Sequence, residues 1–336
     1  MSSRLPKTLP DFLISTPKMV EKVWGGTKLS QLFNKGDPNL SWGESWEVAD
    51  LKEGQSRIKN PLNDCDLQTY VAHFGIDLLG TSQERFPLLV KLIHAAEDLS
   101  IQVHPGHQHL QRFANANSKD ECWYILDAAP NAYILHGLND PNLTYAQLQN
   151  ALKDGDITAY LRKVPVQAGD VISIPPGTAH AICAGIVLLE LQEPSDTTFR
   201  LWDYNRPGLD GKARQLHQQE GLQVIQYGTQ PTTKETPTSL SHPSHQLLLQ
   251  RPQFRMEKID ISDDASVNLA IENQEALTLI CTKGQGLLHG HNDKFKLHEG
   301  QTVIIPAQTN FLKFTSSGKA HLILGGRGQS PLVRVS

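Results

Sequence analysis

A short strand pattern that occurs twice constrains this chain most strongly. Gly169-Asp-Val-Ile-Ser-Ile-Pro175 and Gly300-Gln-Thr-Val-Ile-Ile-Pro306 share an opening glycine, an apolar centre rich in β-branched residues and a closing proline. Glycine suits the turn before a strand, and proline cannot continue a strand ladder, so each copy predicts a short buried strand with defined ends. Two copies of one strand unit predict two related β-domains.

Strand patterns dominate the rest of the chain as well. Nine segments are short, rich in β-branched residues and bounded by Gly, Pro, Asn or Asp: 87–95, 99–104, 122–126, 131–137, 170–175, 185–192, 276–282, 302–306 and 320–326. Two segments, at about 67–80 and 141–163, instead suit short amphipathic helices. The sequence therefore predicts a mainly β protein of sandwich or barrel architecture with a small helical insertion.

A polar stretch near residue 240 predicts the domain boundary. It is rich in Thr, Ser and Pro and has no apolar period, and the 336-residue length leaves room for two domains. We therefore predict a first domain over residues 1–230 that contains both helical insertions, a linker over 231–245 and a second domain over 246–336.

Composition limits the location and the partners of the protein. Lys and Arg total 31 against 35 for Asp and Glu, so the chain lacks the basic surplus of a nucleic-acid-binding protein. No apolar run is long enough to span a membrane, and the N-terminus does not resemble a signal peptide. Four scattered cysteines without a CxxC motif favour reduced thiols. We expect a cytoplasmic protein that binds neither nucleic acid nor membrane.

The first copy of the strand pattern continues into a metal-binding motif. Extended to His180, it has the form G-x5-P-x-G-x2-H, which is similar to the second conserved signature of cupins. Cupins are jelly-roll (double-stranded β-helix) proteins, and the resemblance implies that His180 points into the barrel and binds metal. The second copy has Phe311 at the corresponding position. We therefore expect two cupin domains, the second degenerate and without metal ligands.

Other candidate ligands precede this motif. Gln102 and His104 are two residues apart on a predicted strand, so their side chains face the same way. Glu121 lies at the start of another predicted strand. Together with His180, these residues make a plausible nitrogen and oxygen site for one borderline divalent ion, most simply Zn²⁺. Glu44 and Glu47, which flank Trp46, are instead interpreted as a solvated strand face.

Four motifs in combination resemble the short bacterial form of the type I mannose-6-phosphate isomerases. They are Ser100-Ile-Gln-Val-His-Pro105, Lys119-Asp-Glu121, Pro176-Gly-Thr-Ala-His180 and the pair Glu190 and Arg200. The resemblance covers most of the chain. It implies a zinc enzyme of the cupin superfamily that interconverts mannose 6-phosphate and fructose 6-phosphate, an aldose–ketose isomerase.

The same resemblance implies roles for individual side chains. The implied metal ligands are His104, Glu121 and His180, with Gln102 as a possible fourth. The implied catalytic residues are Arg200, Lys119 and Glu190, and the implied phosphate contacts are Lys91 and Ser100. Lys91 lies inside an apolar strand, where a lysine requires a partner of opposite charge.

The isomerase chemistry leaves one assignment open. Removing a proton beside a carbonyl creates an enediol or enediolate, whose negative charge needs a metal or a cation. Glu190, a group near His104 or a metal-bound water could carry the proton, whereas an arginine pKa above about 12 suits Arg200 to charge stabilisation. Alternative functions are an isomerase of another sugar, phosphorylated or free, and a non-catalytic sugar-binding or regulatory cupin. The expected partner is a small phosphorylated sugar, bound by a monomer or homodimer.

Overall fold

The computed structural model describes residues 5–59, 64–272 and 274–336, so residues 1–4 and 60–63 of the predicted first domain lie outside the described residues. The described chain is mainly β, as predicted. Its earlier strands are β1 Leu13–Thr16, β2 Lys18–Gly26, β3 Trp42–Val48, β4 Asp50–Leu51, β5 Gly54–Gln55, β6 Arg57–Lys59, β7 Cys65–Asp66, β8 Leu89–Ala95, β9 Ile101–Val103, β10 Glu121–Ala128, β11 Tyr133–Leu138, β12 Leu161–Pro165, β13 Val171–Ile174, β14 His180–Ile182, β15 Ile186–Gln192 and β16 Phe199–Trp202.

The later strands are β17 Lys234–Glu235, β18 Thr238–Ser239, β19 His245–Gln250, β20 Arg255–Ile261, β21 Ser266–Ile271, β22 Leu277–Lys283, β23 Gln285–His289, β24 Lys294–His298, β25 Thr302–Ile305, β26 Phe311–Ser316, β27 Ala320–Gly326 and β28 Val333–Val335. Each of the nine segments predicted as strands overlaps one of these strands, which confirms those predictions. Their ends differ by a few residues, because a turn residue is counted with the strand in a sequence pattern.

Five short α-helices interrupt the strands of the described chain: α1 Lys28–Phe33, α2 Leu67–Phe74, α3 Ile76–Leu79, α4 Tyr145–Asp154 and α5 Gln218–Val224. The two predicted helical segments are confirmed by α2, α3 and α4. Helix α4 begins at a capping box, in which Thr144 and Gln147 each accept a hydrogen bond from the other's backbone N–H. Helices α1 and α5 were not predicted, since six or seven residues are too few to show a helical period. No helix in the described ranges is long and apolar enough to cross a membrane.

Two sheets form a first β-sandwich. A seven-stranded sheet has the order β17-β13-β10-β15-β8-β3-β2, and a five-stranded sheet has the order β12-β11-β14-β9-β16. Trp123 and Leu188 from the larger sheet pack with Ile134 and Ile182 from the smaller one in a single buried cluster. The space between these two sheets is where the predicted metal ligands lie.

A second sandwich repeats this plan. It combines a nine-stranded sheet, which contains β22 and β25, with a five-stranded sheet of β24-β23-β26-β21-β28. The chain passes from β13 to the facing sheet at β14, and it does the same from β25 to β26. Gly169 and Gly300 have φ angles of 94° and 80°, a backbone region that glycine enters most easily. The repeated strand pattern therefore marks a repeated jelly-roll step, and the prediction of two cupin jelly rolls is confirmed.

The two sandwiches share a buried apolar layer. On β10, Trp123 and Ile125 face the first sandwich's own core, whereas Cys122 and Tyr124 join a second cluster that includes Met256 of the other sandwich. Both faces of this strand are buried, so its sequence shows no alternation of polar and apolar residues.

Chain segments also cross between the sandwiches. Strand β1 pairs with β25, and Leu13 lies opposite Ile304. Within the predicted linker, β17 pairs with β13 and β18 pairs with β19. The linker segment is therefore partly strand in the structure, while the division into domains at 1–230 and 246–336 stays a prediction.

Candidate metal centre and active site

The three predicted ligands converge in the first sandwich. His104 follows β9, while Glu121 and His180 open β10 and β14. Among the described residues they form a group whose ligand atoms all lie within 4.8 Å of one another. Glu121 lies 3.5 Å from His104 Nε2 and 3.3 Å from His180 Nε2, and all three side chains are buried. This geometry provides two imidazoles and one carboxylate at a single point.

Hydrogen bonds orient both imidazoles toward that point. Nδ1 of His104 donates to the carbonyl of Thr197 over 2.9 Å, and Nδ1 of His180 donates to the carbonyl of Thr178 over 2.8 Å. Each Nε2 lone pair therefore faces the centre, as second-sphere hydrogen bonds arrange it in metal sites. Burial lowers the pKa of His180 to about 3 and the pKa of His104 well below its usual value. Both rings are therefore neutral, as metal ligation requires.

Unsatisfied polar atoms show that these residues fit a divalent cation. Within the described part of the chain, His104 Nε2 and Glu121 Oε1 have no hydrogen-bond partner. Buried polar atoms without partners are rare and costly, so an ion that both atoms can ligate would relieve that cost. Burial also raises the pKa of Glu121 to about 7, although Lys119, at 2.8 Å, opposes the rise. A further cation would stabilise this carboxylate.

Gln102 also reaches the centre. Its Nε2 lies 3.3 Å from His180 Nε2, and on the backbone it pairs with both His180 and Arg200. A half-turn of the amide would present its oxygen to the same point. Its place agrees with the predicted fourth ligand, and that role stays a prediction.

Beside the centre, Lys91 is buried under the influence of two carboxylates. Its ammonium lies 3.4 Å from Glu190 and also interacts electrostatically with Glu44. Burial alone would lower the pKa of Lys91, but the two carboxylates raise it. The indoles of Trp123 and Trp46 donate to Glu190 and Glu44 over 3.0 and 2.8 Å. The prediction that Lys91 needs a charged partner is confirmed.

Both carboxylates beside Lys91 are ionised. Burial would raise the pKa of Glu44, but Lys91 and Lys22 together lower it to about 2. Burial would likewise raise the pKa of Glu190, but Lys119 and Lys91 lower it below its usual value.

The prediction that Glu44 and Glu47 lie on a solvated face is wrong. Both side chains are buried: Glu44 pairs with Lys22, while Glu47 pairs with Lys35 and accepts from Thr302 of the second sandwich.

A cavity of about 210 Å³ leads to this centre. Six of the predicted site residues line it: Lys91, Ser100, Gln102, Lys119, Glu190 and Arg200. His104, Glu121 and His180 lie directly behind Gln102 and Lys119, with almost no exposure. All nine predicted residues are therefore brought together, three in the centre and six in the adjoining wall.

Several functional candidates were missed from the sequence. Lys22, Asp196, Arg214 and His217 also line the cavity. Lys22 lies on an edge strand and the others on connecting segments, where no periodicity marks a side chain that points inward. Glu193 is another, because its carboxylate accepts from Ser118 Oγ and from the Asp120 amide just before the candidate ligand Glu121. No pattern in the sequence distinguishes it from a solvated glutamate.

The two jelly rolls and the buried histidine–glutamate group define a cupin with a candidate metal centre in its first sandwich. Residues 13–146 match the family model described as phosphomannose isomerase type I, catalytic domain. Residues 246–324 match the one described as mannose-6-phosphate isomerase, cupin domain.

Similar proteins agree with these matches over nearly the whole chain. The mannose-6-phosphate isomerase ManA of Bacillus subtilis is 33% identical over 88% of this chain and 92% of its own. The mannose-6-phosphate isomerase of Streptococcus mutans is 32% identical over the same shares. A crystal structure of the mannose 6-phosphate isomerase from Bacillus subtilis superposes with a TM-score of 0.83 at 30% identity, covering 94% of this chain and 100% of that one. The chain belongs to the type I mannose-6-phosphate isomerase family, and the resemblance drawn from its motifs is confirmed.

Proposed function

We propose that this protein interconverts D-mannose 6-phosphate and D-fructose 6-phosphate with the help of one divalent metal ion, most simply Zn²⁺. The names of its relatives suggest the substrate. The observation that carries the metal dependence is the buried group of His104, Glu121 and His180. Both its histidines are neutral and oriented by backbone carbonyls, and it lies at the end of a cavity with several cations in its wall.

The proposed reaction moves a hydrogen between C1 and C2 of the sugar through an enediol or enediolate. His104, Glu121 and His180, with Gln102, would hold the metal ion. When bound, that ion supplies Lewis-acid polarisation of the sugar oxygens. Lys119 lines the same cavity, 2.8 Å from Glu121, and would add positive charge where the negative charge of the enediolate develops.

Glu190 is the best candidate for the general base. It is ionised, and Trp123 holds one carboxylate oxygen through a hydrogen bond of 3.0 Å. Its other oxygen, Oε1, lies 3.4 Å from the Lys91 ammonium but makes no hydrogen bond within the described residues, so in this proposal it accepts the proton from the substrate. Lys91 keeps this carboxylate ionised and adds positive charge to the cavity wall.

The direction of the substrate follows from strand β9. Ser100, Gln102 and His104 are spaced two apart, so Ser100 lies about 7 Å beyond Gln102, away from the metal centre. Ser100 and Gln102 both line the cavity. In this proposal C1 and C2 lie near Gln102 and Lys119, and the phosphate lies toward Ser100.

A coupled assay for fructose 6-phosphate tests the proposal. Turnover of mannose 6-phosphate should stop after chelation and return with added Zn²⁺. His180→Ala should lose metal and turnover together, whereas His291→Ala, a change at an exposed histidine of the second sandwich, should alter neither. Turnover that survives both chelation and His180→Ala would refute the metal dependence. Metal-replete protein that binds the sugar phosphate without turnover would favour a binding cupin.

A further inference from the structure

A connecting segment contributes side chains to the wall of the cavity. Residues 203–217 leave β16, turn back and lead into α5. Nη1 of Arg200 donates to the carbonyl of Gln215 over 2.8 Å, and the amide of His217 donates to the carbonyl of Arg200 over 2.7 Å. These bonds hold the returning part of the segment against β16. Arg214 and His217 consequently line the same cavity as Arg200.

A buried carboxylate orients the arginine of this segment. Asp203 accepts from Arg214 Nε over 2.6 Å and from Arg214 Nη2 over 2.5 Å, and its Oδ1 also accepts from Arg206 over 3.0 Å. Asp203 itself is buried, with 4% of its surface exposed. Two guanidinium groups thus share the Asp203 carboxylate, and Arg206 also lies 3.7 Å from the carboxylate of Glu97. Nη1 of Arg214 donates no hydrogen bond to any described residue, so it remains free for a ligand.

Arg200 brings positive charge without a carboxylate partner to the cavity wall. The other lysines in the cavity wall each lie beside a carboxylate: Lys91 with Glu190 at 3.4 Å, Lys119 with Glu121 at 2.8 Å and Lys22 with Glu44 at 3.4 Å. Arg200 has no carboxylate within ion-pair distance in the described ranges, and its Nε is buried without a hydrogen-bond partner. Asp196 also lines the cavity but is exposed, where solvent screens its charge.

We infer that Arg214 binds the phosphate group of the sugar substrate together with Arg200, and that Asp203 is its positioning residue. The inference rests on the proposed function for the identity of the sugar. A phosphate dianion matches two guanidinium groups with unused N–H donors, because such groups bind phosphate through directed, charge-assisted hydrogen bonds. The segment 203–217 would then give the enzyme its preference for phosphorylated over free sugar.

Steady-state kinetics of Arg214→Ala test this role. The KM for mannose 6-phosphate should rise about 10- to 100-fold, the size expected for losing a charged hydrogen bond to a ligand, while kcat stays within about threefold. The KM of Arg214→Lys should lie between those of wild type and Arg214→Ala, because lysine keeps the charge but lacks the paired N–H donors of the guanidinium group. Lys212→Ala is the matched control, since Lys212 is an exposed cation of the same segment. It should leave both constants unchanged.

Binding of inorganic phosphate separates this inference from the proposed function. Calorimetry on the same proteins should show phosphate binding to wild type and to Lys212→Ala, and binding at least tenfold weaker to Arg214→Ala. This measurement needs no turnover, so an inactive wild type would refute the proposed function alone. Equal phosphate affinity in wild type and Arg214→Ala would overturn the inference, as would an unchanged KM or a loss confined to kcat. Thermal unfolding of each variant verifies that it is folded.

Discussion

At the scale of the residue, the charges buried around Lys91 are balanced by carboxylates on neighbouring strands. Lys91 lies 3.4 Å from Glu190 and interacts electrostatically with Glu44, and an indole N–H fixes the orientation of each carboxylate. Desolvation of such groups is expensive, and only close pairing offsets the cost. The identity of one side chain in this set therefore determines the protonation state of the next.

Glu44 makes the stability of the protein depend on pH in a defined window. Its pKa is about 2 in the folded protein against an ordinary value of 4.5, so the unfolded chain binds its proton first as the pH falls. The stabilisation is fully present above about pH 4.5 and is lost as the pH approaches 2. Glu44→Gln should reduce the free energy of unfolding at pH 7 and have a smaller effect at pH 3, as urea titrations would show.

Glu53→Gln is the matched control, because it makes the same change at a glutamate that is exposed rather than buried. It should change the free energy of unfolding by less than about 0.5 kcal/mol at either pH. If wild type and Glu44→Gln differ in free energy of unfolding by the same amount at pH 7 and at pH 3, the assignment of a strongly lowered pKa to Glu44 is contradicted.

At the scale of the element, the short segments that precede β10 and β14 position the candidate metal ligands. Glu193, just after β15, accepts from Ser118 and from the amide of Asp120, and its other oxygen lies 3.0 Å from His107 Nε2. These bonds hold the segment that leads into β10 and delivers Lys119 and Glu121. On the other side of the centre, Gly177 turns the chain between β13 and β14 and delivers His180.

Glu193→Ala should weaken metal binding without touching a ligand. Removing outer partners of metal ligands typically costs about 10- to 100-fold in affinity, and we expect a loss of that size because the Ser118–Asp120 segment is released. Competition with a chromogenic chelator measures the zinc affinity. Glu299→Ala, a change in the second sandwich, should leave the zinc affinity unchanged. Equal zinc affinity in wild type and Glu193→Ala would show that the Ser118–Asp120 segment keeps its conformation without Glu193.

Gly177→Ala should destabilise the turn that delivers His180. Gly177 has a φ of 87°, and a Cβ there would lie 2.8 Å from the carbonyl oxygen of Val224. Gly211 has a similar φ of 76° with open space around it, so Gly211→Ala carries the backbone strain without the clash. Thermal unfolding should show a larger loss of Tm for Gly177→Ala, with weaker zinc binding as well. Equal losses in both variants would mean that the close approach to Val224 is unimportant.

At the scale of the whole molecule, the second sandwich is part of the environment of the first. The apolar cluster between them includes Cys122 and Tyr124 from β10, the strand that Glu121 opens. Glu47 on β3 accepts from Thr302 on β25, which joins the two sandwiches through a buried polar contact. Strand β1 pairs directly with β25.

Removal of residues 246–336 should therefore destroy the fold of the metal-binding sandwich. The cut would expose the apolar layer on the outer face of β10 and leave Glu47 without one of its donors. We expect the truncated chain to aggregate or to lack a cooperative unfolding transition in calorimetry, with no zinc bound. A truncated chain that unfolds cooperatively with wild-type zinc affinity would show that the first sandwich is independent.

The sequence alone determined the features that depend on local pattern. Strands bounded by glycine and proline, the repeated unit at Gly169 and Gly300 and the spacing that ends at His180 are all set within a few residues of chain, so they can be predicted without coordinates. The candidate metal ligands and the family were accessible for the same reason.

Only the tertiary structure decided which polar residues are buried together. Glu44 and Glu47 have the pattern of a solvated strand face, yet both are buried, where Glu44 pairs with Lys22 and Glu47 accepts from Thr302, which is far away in the chain. Arg214 lies in a segment without periodicity, and it reaches the cavity because buried Asp203 holds it there. The pairing of distant segments depends on the whole fold, and no local spacing of residues encodes it.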